Sequence, residues 1–315
     1  MEYDYDDVLI LPKPSSVNSR EDVNVKFDFL GRKRFPIFSA PMKNISTLQM
    51  VKLLDSYSCI GILNKFDTET NRLNAVNILA KDTEIFGVAC GLEEINFAIE
   101  ATKRGASFIC LDIANGYISR LQDTIKTLRD SEVDNVMAGN VVTYQGAYYL
   151  GSAGAKYIRV GIGSGKVCTT RNVTGIGRPQ LSAVADCAWI HEDFPDTIVI
   201  SDGGISNSGN AVKSFSYNAD AVMLGSILAK ASELNLSSYL GMASKELQRE
   251  FYGYSRSVEG ISIPVVEHLP LAEILSEFIY GIKSACTYLN CDSYEKINKN
   301  SITVEVSRSA IKELN

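Results

Sequence analysis

Eight short apolar runs recur along the 315-residue chain, at 36–42, 59–64, 85–90, 108–113, 136–141, 157–163, 198–204 and 219–226. Most begin about 21 to 28 residues after the one before, which is room for a strand, a helix and two short loops. The runs are apolar throughout, without polar alternation, the pattern of strands covered on both faces in a parallel sheet. Helical periodicity fills the intervals, for example at 47–58, 68–81 and 92–103, and again in a last helix at about 271–290. Gly105, Gly154 and Asn218 tolerate left-handed backbone and stand where helices should stop before the next strand. Eight strand–helix alternations predict an α/β fold, a (β/α)8 TIM barrel, ahead of a doubly wound sheet. One domain is expected over 1–315, with no inserted unit.

A barrel confines chemistry to the C-terminal ends of its strands. Cys90, Asp112, Asn140, the stretch 161–168, Asp202 to Gly204, and Gly225-Ser226 all fall there. The densest stretch is the loop at about 161–180. Gly161, Gly163 and Gly165 let the backbone turn sharply and bring amides close to a ligand. Cys168 follows at the far side of the turn. A thiolate at the rim of a glycine loop is a nucleophile candidate, and Thr170, two residues on, can manage protons there. The competing reading of such a cysteine is a buried, inert small hydrophobe. Ser201-Asp202-Gly203-Gly204 and Met223-Leu224-Gly225-Ser226 end successive late strands, where barrels commonly bind phosphate through backbone amides. Asp202 is suited to accept hydrogen bonds from ribose hydroxyls.

Composition narrows the partners. A net charge of −6 argues against a general nucleic-acid or membrane-surface binder, so an anionic ligand needs a local pocket. Seven scattered cysteines with no C-x-x-C point to a reducing compartment and away from zinc. The acidic start and the lack of a long apolar stretch fit neither a leader nor a membrane span, and a cytoplasmic protein is expected. With only His191 and His268 present, a mechanism resting on several histidines is excluded.

Nearly end to end, the chain resembles the IMP dehydrogenase/GMP reductase family. Tyr5-Asp6-Asp7-Val8-Leu9 is similar to the family's opening, Ser39-Ala40-Pro41-Met42 to its first strand end, and Gly161 to Arg171 to its catalytic loop. Cys110 to Tyr117, Met137 to Thr143, Arg178 to Val184, and Phe251-Tyr252-Gly253 favour the GMP reductase branch. The resemblance implies NADPH-dependent reductive deamination of a purine nucleotide monophosphate, GMP, to IMP and ammonia. Cys168 would attack purine C2, and Thr170 and Glu259 would assist the departing amine. It implies Lys65, Asp112 and Asn140 beside the cofactor. Gly165, Lys166, Asp202, Gly203, Gly204, Gly225, Ser226, Tyr254, Ser255, Arg256 and Gly260 would lie around the substrate. A potassium ion would sit on backbone carbonyls of Gly161, Gly163 and Cys168, and the assembly would be a homotetramer.

Three departures from the family pattern bear on specificity. The flap, at about 251–262, is roughly twenty residues short, and flaps exclude water and complete a site. Lys166 stands where a serine normally meets the nucleotide phosphate. Lys43-Asn44 replaces Asp-Thr, and Tyr254 replaces a methionine beside the base. Two alternatives therefore stay open. One is the same covalent chemistry on dGMP, on a modified guanine nucleotide or as IMP oxidation. The other is a weakly catalytic nucleotide-binding protein.

Overall fold

The computed structural model describes residues 1–255 and 258–307. Its centre is a ring of eight parallel strands: β1 (Ile37–Ser39), β2 (Gly61–Leu63), β3 (Phe86–Cys90), β4 (Phe108–Asp112), β5 (Val136–Val141), β6 (Tyr157–Val160), β7 (Ile198–Asp202) and β8 (Ala221–Leu224). Each pairs with the next in sequence from β2 to β8, and β8 pairs with β1. A parallel bridge between Phe38 and Ile60 closes the ring. There the Ser39 amide donates to the Ile60 carbonyl at 3.0 Å and the Ile60 amide donates to the Ile37 carbonyl at 2.9 Å. The expected TIM barrel is present, with every strand where the apolar runs put it.

Outside the ring lie α1 (Leu48–Ser56), α2 (Glu69–Asp82), α3 (Ile95–Lys103), α4 (Ser119–Asp130), α5 (Tyr144–Ala153), α6 (Gln180–Cys187), α7 (Ser208–Ser216) and α8 (Leu271–Tyr288). Local chemistry sets their ends. The side chains of Thr47, Thr68, Thr143 and Asn207 accept amide hydrogen bonds at the starts of α1, α2, α5 and α7. After α5, Gly154 takes φ +102°, and Gly105 and Asn218 likewise have positive φ ahead of β4 and β8. The sixth strand is shorter than its apolar run. It stops at Val160, because Gly161 at φ +143° leaves the strand path and begins the loop.

A hairpin that the strand pattern did not reveal seals the other end of the barrel. Phe27–Phe29 and Arg32–Arg34 pair antiparallel, and Phe29 enters the barrel bottom. Its ring lies 5.3 Å from Phe38, 5.7 Å from Phe108 and 5.1 Å from Tyr157, centroid to centroid. These edge-on and tilted contacts fill the interior with aromatic volume, leaving the C-terminal rim as the open end. The buried apolar side chains form one continuous cluster. Among the described residues no helix is long and apolar enough to cross a membrane.

Phe29→Ala should destabilise the barrel by about 3–5 kcal/mol in urea denaturation. Ligand affinity of the folded fraction should be unchanged, because the plug lies opposite the open rim.

Candidate active site

The open rim holds a cleft of about 340 Å³, within the usual range for small-ligand sites. It gathers Lys65, Asp112, Asn140, Gly161, Gly163, Gly165, Cys168, Thr170, Asp202, Gly203 and Glu259 from the C-terminal ends of six strands and the chain that follows them, residues that the sequence had singled out.

One wall is built by close approach of the loops after β6 and β7. A Cβ at Gly161 would lie 2.0 Å from the Asp202 carbonyl oxygen, and one at Gly203 (φ +118°) would lie 2.2 Å from Ser164 Oγ. Only glycine fits at either place. Past this contact the chain reaches Cys168 and the five-residue helix Thr170–Thr174. Arg171, on that helix, donates to Asp4 at 3.1 Å and to the Arg178 carbonyl, so the acidic N-terminal segment braces the loop from outside.

Cys168 is half-buried, whereas the other six cysteines are buried. Burial pushes the thiols of Cys59, Cys110 and Cys286 up to about 12, which keeps them protonated and inert. At Cys168, Sγ lies 3.1 Å from Thr170 Oγ1, and that hydroxyl donates to Glu259 Oε2 at 2.8 Å. A thiol, a hydroxyl and a carboxylate therefore form one hydrogen-bonded line opening into the cleft. Backbone pairing holds the line together. Cys168 and Gly260 form an antiparallel bridge, the Thr169 amide donates to the Glu259 carbonyl at 2.9 Å, and the Ile261 amide donates to the Val167 carbonyl at 3.0 Å.

A charged network occupies the floor. Lys65 Nζ donates to the Asp112 carbonyl at 2.6 Å and lies 3.1 Å from its carboxylate. Arg159, on β6 and 6% exposed, donates through Nη1 to Asp112 Oδ1 at 2.6 Å. Its Nε and Nη2 reach Asp202 Oδ2 at 3.1 and 2.9 Å. Asn140 Nδ2 donates to the same oxygen at 2.8 Å and to the Gly161 carbonyl at 2.7 Å. Burial works to raise the Asp112 pKa, but the neighbouring charges of Lys65 and Arg159 outweigh it and hold the carboxyl well below the usual carboxylate range. Arg159 was missed in the sequence. Its one signal is a cation inside an otherwise apolar strand, Tyr157-Ile158-Arg159-Val160.

Several expected residues lie elsewhere. Lys166 is exposed on the loop, outside the cleft lining. Gly204 packs on the Tyr5 ring, and Gly225 packs on Met42 next to Ser226. Tyr254 is 55% exposed and Ser255 half-buried, while Gly260 is buried in the backbone bridge to Cys168. Arg256 lies outside the described residues. The chain between β8 and α8 is not bare loop. It carries the antiparallel pair Ser238–Leu240 and Ser262–Pro264 and a helix, Lys245–Tyr252. Glu250 on that helix pairs with Lys43, and Phe251 packs edge-on against Phe66 at 5.1 Å. Lys43 thus ties the helix Lys245–Tyr252 to the rim.

A closed barrel with a half-exposed thiol, a proton line and a carboxylate floor at its C-terminal end defines a barrel enzyme. The domain model described as IMP dehydrogenase / GMP reductase matches residues 2–315, and the chain belongs to that family of oxidoreductases. A protein named GMP reductase from Phytophthora infestans is 34% identical over 333 aligned positions, covering 97% of this chain and 91% of that protein. GMP reductase of Edwardsiella ictaluri is 32% identical, covering 96% and 94% of the two chains, and GMP reductase 2 of Homo sapiens is 32% identical, covering 97% and 94%. The 333 aligned positions exceed the 315 residues of this chain, so the Phytophthora protein carries residues that this chain lacks.

A carboxylate with a depressed folded pKa stabilises the fold above its unfolded value, about 3.9. That contribution is lost as pH falls towards the folded value. The urea midpoint of the wild type should therefore fall more steeply below about pH 4 than that of Asp112→Asn. Parallel acid limbs would remove Asp112 from the charged network.

Proposed function

We propose that the protein is a GMP reductase that converts GMP to IMP and ammonia, using NADPH as reductant. The observation that carries this reading is the line from Cys168 Sγ through Thr170 Oγ1 to Glu259 Oε2, opening into the ligand-sized cleft. The thiolate of Cys168 adds to purine C2. Thr170 and Glu259 deliver a proton to the 2-amino group, and the C2–N bond breaks to release ammonia, leaving a thioimidate between Sγ and C2. The dinucleotide, when bound, supplies the hydride that reduces C2. The C–S bond then breaks, returning the electron pair to sulfur and freeing IMP. Glu259 suits the deaminating direction because it holds a carboxylate against the Thr170 hydroxyl, where a proton can be taken up and given back.

Asp202 serves the ribose. Its Oδ2 accepts from Arg159 and Asn140, so Oδ1 is left for the sugar hydroxyls. The phosphate would be met by the Gly203 amide in the cleft lining, with the amides of Gly204, Gly225 and Ser226, which lie outside that lining, as its further donors. Lys65 and Asp112 orient the nicotinamide end of the cofactor. An apolar recess beside Thr170 and Glu259, lined in part by Ala114, Tyr117, Val142, Ile162 and Ile176, suits a ring of the dinucleotide. A potassium ion would rest on the carbonyls of Gly161, Gly163 and Cys168; the Gly161 carbonyl also accepts from Asn140, which leaves it a second lone pair for the ion. No step above depends on it. Assembly as a homotetramer belongs to the same reading, and sedimentation velocity checks it.

Dinucleotide oxidation with GMP should match ammonia release one to one in an anaerobic assay. Turnover of dGMP alone would move the substrate to a deoxynucleotide, in keeping with exposed Tyr254 and the short flap. Failure with both nucleotides, and with IMP and NAD+, would refute the reading. Cys168→Ala should abolish turnover and keep nucleotide binding. Glu259→Gln should lower kcat by about 10²–10⁴-fold with little change in nucleotide affinity. Equal loss of both would make Glu259 structural.

A further inference from the structure

The strand residue that the sequence hid, Arg159, touches both halves of the cleft floor. Arg159 is almost wholly buried. Its Nη1 holds Asp112 on β4, while its Nε and Nη2 hold Asp202 on β7, across the barrel mouth. Asp112 lies on the side assigned to the cofactor and Asp202 on the side assigned to the ribose, so this inference rests on the reading above. The geometry points to Arg159 as a positioning residue for both substrates: a rigid strut that fixes the ribose-side carboxylate and the cofactor-side carboxylate relative to each other.

Guanidinium chemistry suits this task. Its planar fork directs donors along fixed vectors, so one side chain aims at two carboxylates simultaneously. An ammonium at the same place would be a point charge able to satisfy one carboxylate well. The local charges balance around the strut. Two carboxylates, Asp112 and Asp202, face two cations, Arg159 and Lys65, and Lys65 pairs with Asp112. The remaining close groups are the Cys110 thiol, 3.7 Å from Nη1, and the Asn140 amide on Asp202. Neither can replace the guanidinium. Without it, two like charges share a nearly dry floor with one ammonium, and Asp202 keeps the Asn140 amide while losing both N–H bonds from β6. Its Oδ2 would then be free to turn, and Oδ1 would lose the orientation proposed for binding ribose.

A strut makes a claim that a packing residue does not: one substitution weakens both ligands together. In Arg159→Lys, KM for GMP and KM for the dinucleotide should each rise at least about fivefold, with the thermal midpoint within a few degrees of wild type. In Arg159→Ala both should rise further, and millimolar guanidinium should restore both where methylammonium does not. A rise confined to one KM, or lowered thermal stability with both KM values and kcat unchanged, would overturn the strut. A ligand-free arm separates this claim from the functional reading. Asp112→Asn and Asp202→Asn should have non-additive effects on the urea midpoint in the wild-type background and additive effects when Arg159 is lysine. If wild type fails to turn over GMP while this coupling holds, the reading falls and the strut stands. Additivity in both backgrounds removes the strut whatever the substrate proves to be.

Discussion

Two backbone hydrogen bonds, from Thr169 to the Glu259 carbonyl and from Ile261 to the Val167 carbonyl, decide whether this barrel has a reactive centre. They tie the loop after β6 to the chain returning from β8, segments about ninety residues apart in sequence. Without that pairing, Glu259 would sit on a loop with no reason to face Thr170. With it, the carboxylate lies 2.8 Å from the hydroxyl, and the hydroxyl lies 3.1 Å from the thiol. Backbone pairing is a robust way to position acid–base groups, because it fixes the peptide and leaves the side chain little freedom. Buried Gly260 lies at this junction. A Cβ there would lie 3.0 Å from the Ser244 amide nitrogen and 3.1 Å from Gly241 Cα, so the 241–244 turn packs against it too closely for a larger residue to fit easily.

The scaffold separates stability from chemistry in a way common to barrels. The aromatic plug around Phe29 sits at one end, and the titratable groups sit at the other. The chain returning from β8 supports the rim through one short helix. Lys43 with Glu250, and Phe66 with Phe251, dock the helix Lys245–Tyr252 onto the loops after β1 and β2. A charge pair on a partly exposed rim contributes modestly, so the ring contact is the firmer of the two anchors.

Much of the fold was legible because its signals are local. Each barrel strand is a short apolar run, and each helix carries its own cap, as Thr47 and Gly154 do. Cys168, Thr170 and the Lys65–Asp112 pair could be read from motif and resemblance, and the structure brings them into one cleft. The rest depends on long-range contact, which leaves no period in the sequence. Arg159 looked like an interruption in an apolar strand, since its partners lie 47 and 43 residues away. The strand Phe27–Phe29 continues an apolar–polar alternation that is legible in the sequence, Val23-Asn24-Val25-Lys26-Phe27-Asp28-Phe29, but its purpose as a plug appears only against Phe108 and Tyr157. Lys43 read as a specificity change, yet it pairs with Glu250, 207 residues on. Lys166 read as a phosphate contact; its side chain is exposed on the loop outside the cleft lining.

The central claim is that Cys168 bonds covalently to the purine, with the other six cysteines as bystanders. Incubation with GMP and the oxidised dinucleotide, followed by rapid acid quench and peptide mass mapping, tests it directly. The account predicts a nucleotide adduct lacking the 2-amino nitrogen, confined to the peptide containing Cys168 and absent from Cys168→Ala. An unmodified Cys168 peptide from an enzyme that turns GMP over, or an adduct on any other cysteine, would contradict it.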